Sequence, residues 1–100
     1  MRPASARSDP TATSAARGRL EARLGIIAAG AHSGDEPMRH AGEELAHVLS
    51  GGLDYDVAGT AYALRPGDTL HFKSDQPHRW RNAADGPTRV LWVFSDGLSF

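Results

Sequence analysis

Residues 44–72 read ELAHVLSGGLDYDVAGTAYALRPGDTLHF, and their pattern decides the fold. Four short runs, Glu44–Leu49, Leu53–Val57, Thr60–Leu64 and Thr69–Phe72, are separated by Ser50-Gly-Gly, Ala58-Gly and Arg65-Pro-Gly-Asp. Short alternating or apolar runs cut by glycine-containing turns predict antiparallel strands, because glycine and proline supply the turn dihedrals. The same rhythm continues outward through Leu20–Ala28 on one side and His78–Asn82 and Thr88–Phe94 on the other. Turn signals at 34–37, 74–77 and 84–87 fill the remaining gaps. Strands at spacings of roughly 8–12 residues predict an all-β fold, a small antiparallel β-barrel or jelly roll that hides its edges.

Composition sets the limits around this core. One hundred residues support a single domain. Residues 1–19, rich in Ala, Ser, Thr, Pro and Arg, have no large apolar side chain after Met1 and are expected to form a flexible tail. The barrel is expected over residues 20–100. A formal net charge of −1 gives no basic footprint, so direct nucleic-acid binding is not expected. The chain has no cysteine, which excludes disulfides, thiolate metal sites and cysteine nucleophiles. No apolar run approaches the roughly 20 residues of a membrane helix, and a cytoplasmic protein is expected.

The chemistry concentrates at His40, Glu44 and His78. Two imidazoles and a carboxylate are the ligand set of a facial metal triad, which leaves coordination positions open. Residues four apart on a strand point the same way, so His40 and Glu44 are expected on one inward face, with His78 brought opposite by a later strand. An inward glutamate among Ala46 and Val48 is costly unless a metal, a histidine or an arginine partners it. The bland alternatives are a pair at a loop mouth and a locally bonded turn histidine.

These residues resemble the two motifs of the cupin superfamily. His40-Ala-Gly-Glu-Glu44 with Gly51, Leu64-Arg-Pro-Gly-Asp68, and Pro77-His78 with Asn82 carry the likeness. Within the superfamily the chain resembles the C-terminal sensor domain of bacterial helix-turn-helix regulators of the xenobiotic-response-element type. The resemblance implies a metal held by His40, Glu44 and His78, with iron, manganese or zinc as candidates. The fuller site of the family begins His-x-His, but here Met38 takes the first of those positions. A thioether is a poor ligand for those metals, so three protein ligands carry over at most.

The remaining candidates divide by strand phase. Trp80 lies two residues from His78 and either walls the pocket or packs in the core. Tyr55, Tyr62 and Gln76 are candidate pocket or rim groups, and Met38 joins them as a ligand-binding residue. His47 and His71 are expected to face outward, His32 lies in a loop, and Arg79 and Arg81 suit a solvated face. Gly51, Gly59 and Gly67 are explained by turns, and Asp68 by capping its own turn.

A mainly apolar pocket with one polar floor suits small-molecule binding better than multistep chemistry. The favoured reading is therefore a sensor-like binding module with a divalent metal in the barrel and no DNA-binding domain of its own. The alternatives are a metal-dependent oxygenase, epoxidase or isomerase acting on a small organic acid, and a metal-free barrel. Cupins commonly pair through barrel edges, so the resemblance implies a homodimer, with Leu20–Ala28 and Val90–Phe94 as the expected contacts.

Overall fold

Each alternating run forms a strand. In chain order these are β1 (Leu20–Ile27), β2 (Glu43–Ser50), β3 (Leu53–Val57), β4 (Thr60–Leu64), β5 (Thr69–Lys73), β6 (His78–Arg81) and β7 (Thr88–Ser95). The computed structural model describes residues 20–95, so the expected tail at 1–19 lies outside the described residues. Antiparallel pairing gives a four-stranded sheet in the order β1-β7-β2-β5 and a three-stranded sheet in the order β4-β3-β6. The result is the all-β barrel of jelly-roll type that the turn spacing predicts. Among the described residues no helix is long and apolar enough to cross a membrane.

Alternation decides the core. On β2 the buried positions are Glu44, Ala46 and Val48, and on β3 they are Leu53, Tyr55 and Val57. On β7 the buried set is Thr88, Val90, Trp92 and Phe94. These inward faces meet between the sheets, with Ile27, Leu64 and Phe72 completing the apolar cluster. Period-2 burial of this kind removes one face of each sheet from water.

Turn chemistry fixes the registers. Ala58 and Gly59 both have positive φ, 51° and 86°, which is the pattern of a two-residue type I′ hairpin turn between β3 and β4. The Asp68 carboxylate accepts from the Arg65 N–H at 2.9 Å, while the Asp68 N–H returns to the Arg65 carbonyl at 2.9 Å. Gly51 combines φ +85° with close packing: a Cβ there would lie 2.4 Å from the Thr88 Oγ1. That threonine donates to the Gly52 carbonyl and accepts from the Gly52 N–H, tying the β2–β3 turn to β7.

Asn82 clamps the far end. Its buried amide donates to the carbonyls of Ile27, Ala28 and Gly86, and its Oδ1 accepts from the Ala84 N–H. The end of β1 is thereby tied to the β6–β7 connection. Asn82 holds the scaffold.

Candidate functional site

The polar groups of the barrel meet where the two sheets face each other. Glu44 is on the inner face of β2, opposite Phe72 of β5 and Phe94 of β7. Opposite residues of an antiparallel pair share a face, so two phenylalanines flank this carboxylate. His78 opens β6 in the other sheet, opposite Val57 of β3. The Glu44–His78 contact therefore crosses from sheet to sheet and forms only when the barrel closes. Both side chains are fully buried.

Hydrogen bonding fixes the state of His78. Its Nδ1 lies 2.7 Å from the Gln76 carbonyl, which can only accept, so Nδ1 carries a hydrogen. In the neutral ring Nε2 is then a bare lone pair, and it lies 3.5 Å from the Glu44 Oε1. A lone pair facing a carboxylate oxygen requires a hydrogen or a cation between the two atoms. Backbone pairing with Met38 in both directions, at 2.7 and 3.0 Å, holds His78 in this position.

Further groups complete the cluster. The Ser74 hydroxyl donates to the Glu44 Oε1 at 3.3 Å. The Trp92 indole donates to the Tyr55 hydroxyl at 2.8 Å, and that hydroxyl is in turn hydrogen-bonded to Glu44. Burial, and then the Glu44 charge, hold the Tyr55 phenol well above its ordinary range despite the opposing Trp92 bond. Tyr55 is thus a neutral donor to the carboxylate. The rings of Phe72 and His40 pack on His78 at centroid distances of 4.9 and 5.5 Å.

His40 reaches the site by a different route from the one the spacing suggests. It lies in the connection before β2, because Gly42 takes φ +88° against the Ser95 backbone and the strand starts at Glu43. His40 and Glu44 therefore do not share a strand face. His40 is held by its N–H, which donates to the Ser74 carbonyl at 2.8 Å, and its Nε2 is buried without a hydrogen-bond partner.

The structure thus gathers His40, Glu44, His78 and Tyr55, with Met38 as the backbone partner of His78. Trp80 sits half-buried beside Trp92, ring centroids 5.6 Å apart, and borders a 380 Å³ cleft shared with His32, Asp35 and Arg79. The Tyr62 and Gln76 side chains are apart from the cluster, although the Gln76 carbonyl holds His78. Tyr62 shares the inner face with its partner Tyr55, but β4 is a sheet edge, so it opens into a 430 Å³ cleft with Gln76, Leu70 and Phe72. His47 and His71 lie on the outer face of the larger sheet, bonded to Thr69 and Glu43 at 2.7 and 2.6 Å.

Two features escape the sequence reading. Ser74 belongs to a turn tetrapeptide and carries no periodic signal. Arg23 and Glu21 lie on the inner face of β1, opposite buried Trp92 and Phe94. The available signal is the polarity of LEARLGII, in which the charged residues alternate with apolar ones.

Among the described residues, no three His, Asp or Glu side chains form a ready-made metal cage. The donor chemistry nonetheless fits a divalent cation: His40 Nε2 and His78 Nε2 are buried without hydrogen-bond partners beside an inward carboxylate.

A family model described as a cupin domain matches residues 23–94. No curated protein matches the chain. Among solved structures, the cupin domain of an XRE-family transcriptional regulator from Enterobacter cloacae is 27% identical, with TM-score 0.71, covering 80% of this chain and 84% of that one. A cupin 2 conserved barrel domain protein from Salinispora arenicola is 18% identical, with TM-score 0.72 and coverages of 91% and 81%. A cupin-superfamily sugar phosphate isomerase from Silicibacter pomeroyi is 22% identical, with TM-score 0.68, covering 79% of this chain and 52% of that one. The last two likenesses concern the fold alone.

Proposed function

This chain belongs to the cupin domain family, and we propose that it binds a small molecule inside its barrel beside a divalent cation held by His40, Glu44 and His78. The observation that carries this reading is the His78 Nε2 lone pair, 3.5 Å from a Glu44 oxygen and beside the buried Nε2 of His40. A cation of the iron, manganese or zinc type satisfies all three donors. When bound, it supplies Lewis acidity toward a ligand oxygen. Gln76 and Met38 orient His78, while Tyr55 and Ser74 direct donors at Glu44 and fix its position.

The likeness to the regulator's cupin domain supports a sensor-like role. A second reading, a metal-dependent oxygenase, epoxidase or isomerase of a small organic acid, rests on the same three donors, because a cation held by three protein ligands keeps positions open for substrate or oxygen. The apolar outer face of β1 and β7 supports a homodimer.

Elemental analysis of protein purified without a nickel column tests the metal. About one divalent ion per chain is expected after reconstitution with Fe(II), Mn(II) or Zn(II), falling well below that in His78→Ala. Wild-type protein that stays far below one ion per chain contradicts the reading.

A further inference from the structure

The barrel has two seams between its sheets, and only one is laced shut. Beside β6 the chain leaving β1 is bonded backbone to backbone: the Gly30 N–H donates to the Asn82 carbonyl at 2.8 Å, the Asn82 N–H to the Ala31 carbonyl at 2.9 Å and the Ser33 N–H to the Trp80 carbonyl at 3.0 Å. At the other seam β4 and β5 are each the last strand of their sheet, and among the described residues no hydrogen bond joins them. A 430 Å³ cleft lies there instead, lined in part by Val57, Tyr62, Leu70, Phe72 and Gln76. Small domains ordinarily cover such edges, and this one leaves a pair of them open.

Phe72 stands between this cleft and the cluster. It lines the cleft, is only 8% exposed, and its ring lies 4.9 Å from the His78 ring and 5.6 Å from the Tyr55 ring. Its cross-strand partner on β2 is Glu44. Because Glu44 and His78 are fully buried, no molecule reaches them until a side chain moves. Phe72 has room to do so. A cavity of about 150 Å³ already holds benzene, so the cleft accommodates the displaced ring together with a small ligand. The lining combines apolar Val57, Leu70 and Phe72 with the hydroxyl of Tyr62 and the amide of Gln76, a composition suited to a small organic molecule.

We propose that the cleft between β4 and β5 is the seat and doorway of the ligand, and that Phe72 is the movable partition between it and His78. The ligand is accordingly a small molecule with an apolar body, held between Tyr62 and Leu70, and one oxygen-bearing end that passes Phe72 to the cluster. The proposal rests on the reading of the barrel as a small-molecule site and adds where the ligand sits and how it enters. A small molecule is the fitting occupant because the cleft and the buried cluster share Phe72 as a common wall.

Diethyl pyrocarbonate, a small apolar reagent that acylates a bare imidazole nitrogen, tests the doorway on the metal-free full chain. The rate at His78, followed by mass spectrometry, is divided by the rate at the outer-face His47. Phe72→Ala is expected to raise this ratio about tenfold or more, because modification of a buried group tracks its open population. The chain has no cysteine, so Tyr62→Cys carries a benzylmaleimide plug in this cleft and Ala61→Cys carries the same plug in the 380 Å³ cleft on the other face of β4. The plug on Tyr62→Cys is expected to lower the ratio about tenfold, with Phe72 intact or replaced, and the plug on Ala61→Cys to leave it unchanged. General unfolding of Phe72→Ala would not respond to a plug. The proposal is overturned by an unchanged ratio in Phe72→Ala, by the same ratio with and without the plug on Tyr62→Cys, or by equal slowing from Ala61→Cys. Light scattering of plugged Tyr62→Cys checks for a second copy as occupant: loss of a dimer assigns the cleft to a subunit contact and also overturns the proposal. Zn(II) separates the two readings. Slowing by the plug together with Zn(II) protection of His78 supports both, whereas slowing by the plug without that protection supports the doorway and removes the metal.

Discussion

A single buried imidazole shows how closely this site is specified. The Gln76 carbonyl takes the His78 Nδ1 hydrogen, Met38 pins the backbone, and Phe72 packs on the ring. Only Nε2 remains, and it faces a carboxylate. Glu44 and His78 were legible as site candidates because an inward acid and a histidine after proline stand out in an apolar pattern. Ser74 was not, since a turn serine has many local uses, and neither was the Trp92–Tyr55–Glu44 relay, which joins three strands. Tyr55→Phe removes the hydroxyl that Trp92 and Glu44 share. Two buried partners then lose a bond, and a stability loss of about 1–3 kcal/mol is expected in chemical denaturation. An unchanged denaturation midpoint would show that the relay contributes nothing to stability.

At the scale of elements, strand existence was far more legible than strand phase. All seven strands fall within a residue or so of the bounds that the turns imply, because Gly-Gly, Ala-Gly and Pro-Gly-Asp punctuate the chain. For β1, however, alternation gives a period and leaves open which face turns inward. Pairing with β7 settles that by setting Arg23 opposite Trp92. The consequence outside is an apolar surface: Leu20 and Ile26 are 75% and 66% exposed, beside Leu24, Leu91 and Val93. We propose that a second copy of the chain covers it. Three strands of eight residues, β1, β7 and β2, lie about 4.8 Å apart and give a face of about 14 by 26 Å, which the five-residue β5 extends. Light scattering at micromolar concentration is expected to give a dimer for the wild type and a monomer for Ile26→Glu. A monomeric wild type would contradict the proposal.

For the whole molecule, the barrel was legible and the assembly of its site only partly so. Glu44 belongs to the larger sheet, His78 to the smaller one and His40 to the connection before β2. Spacing placed His40 and Glu44 together on a strand they do not share; the fold instead brings them together by bonding the His40 backbone to Ser74. Closure of two sheets makes the site, so no local pattern encodes its geometry. In the proposed site, His40, Glu44 and His78 share a cation. The most direct test follows the histidine ring-nitrogen resonances as diamagnetic Zn(II) is added to the full chain. Coordination shifts at His40 and His78 at stoichiometric Zn(II), with His32, His47 and His71 unmoved, are the predicted result. Shifts confined to the outer-face His47 and His71, or none at His40 and His78, would contradict it.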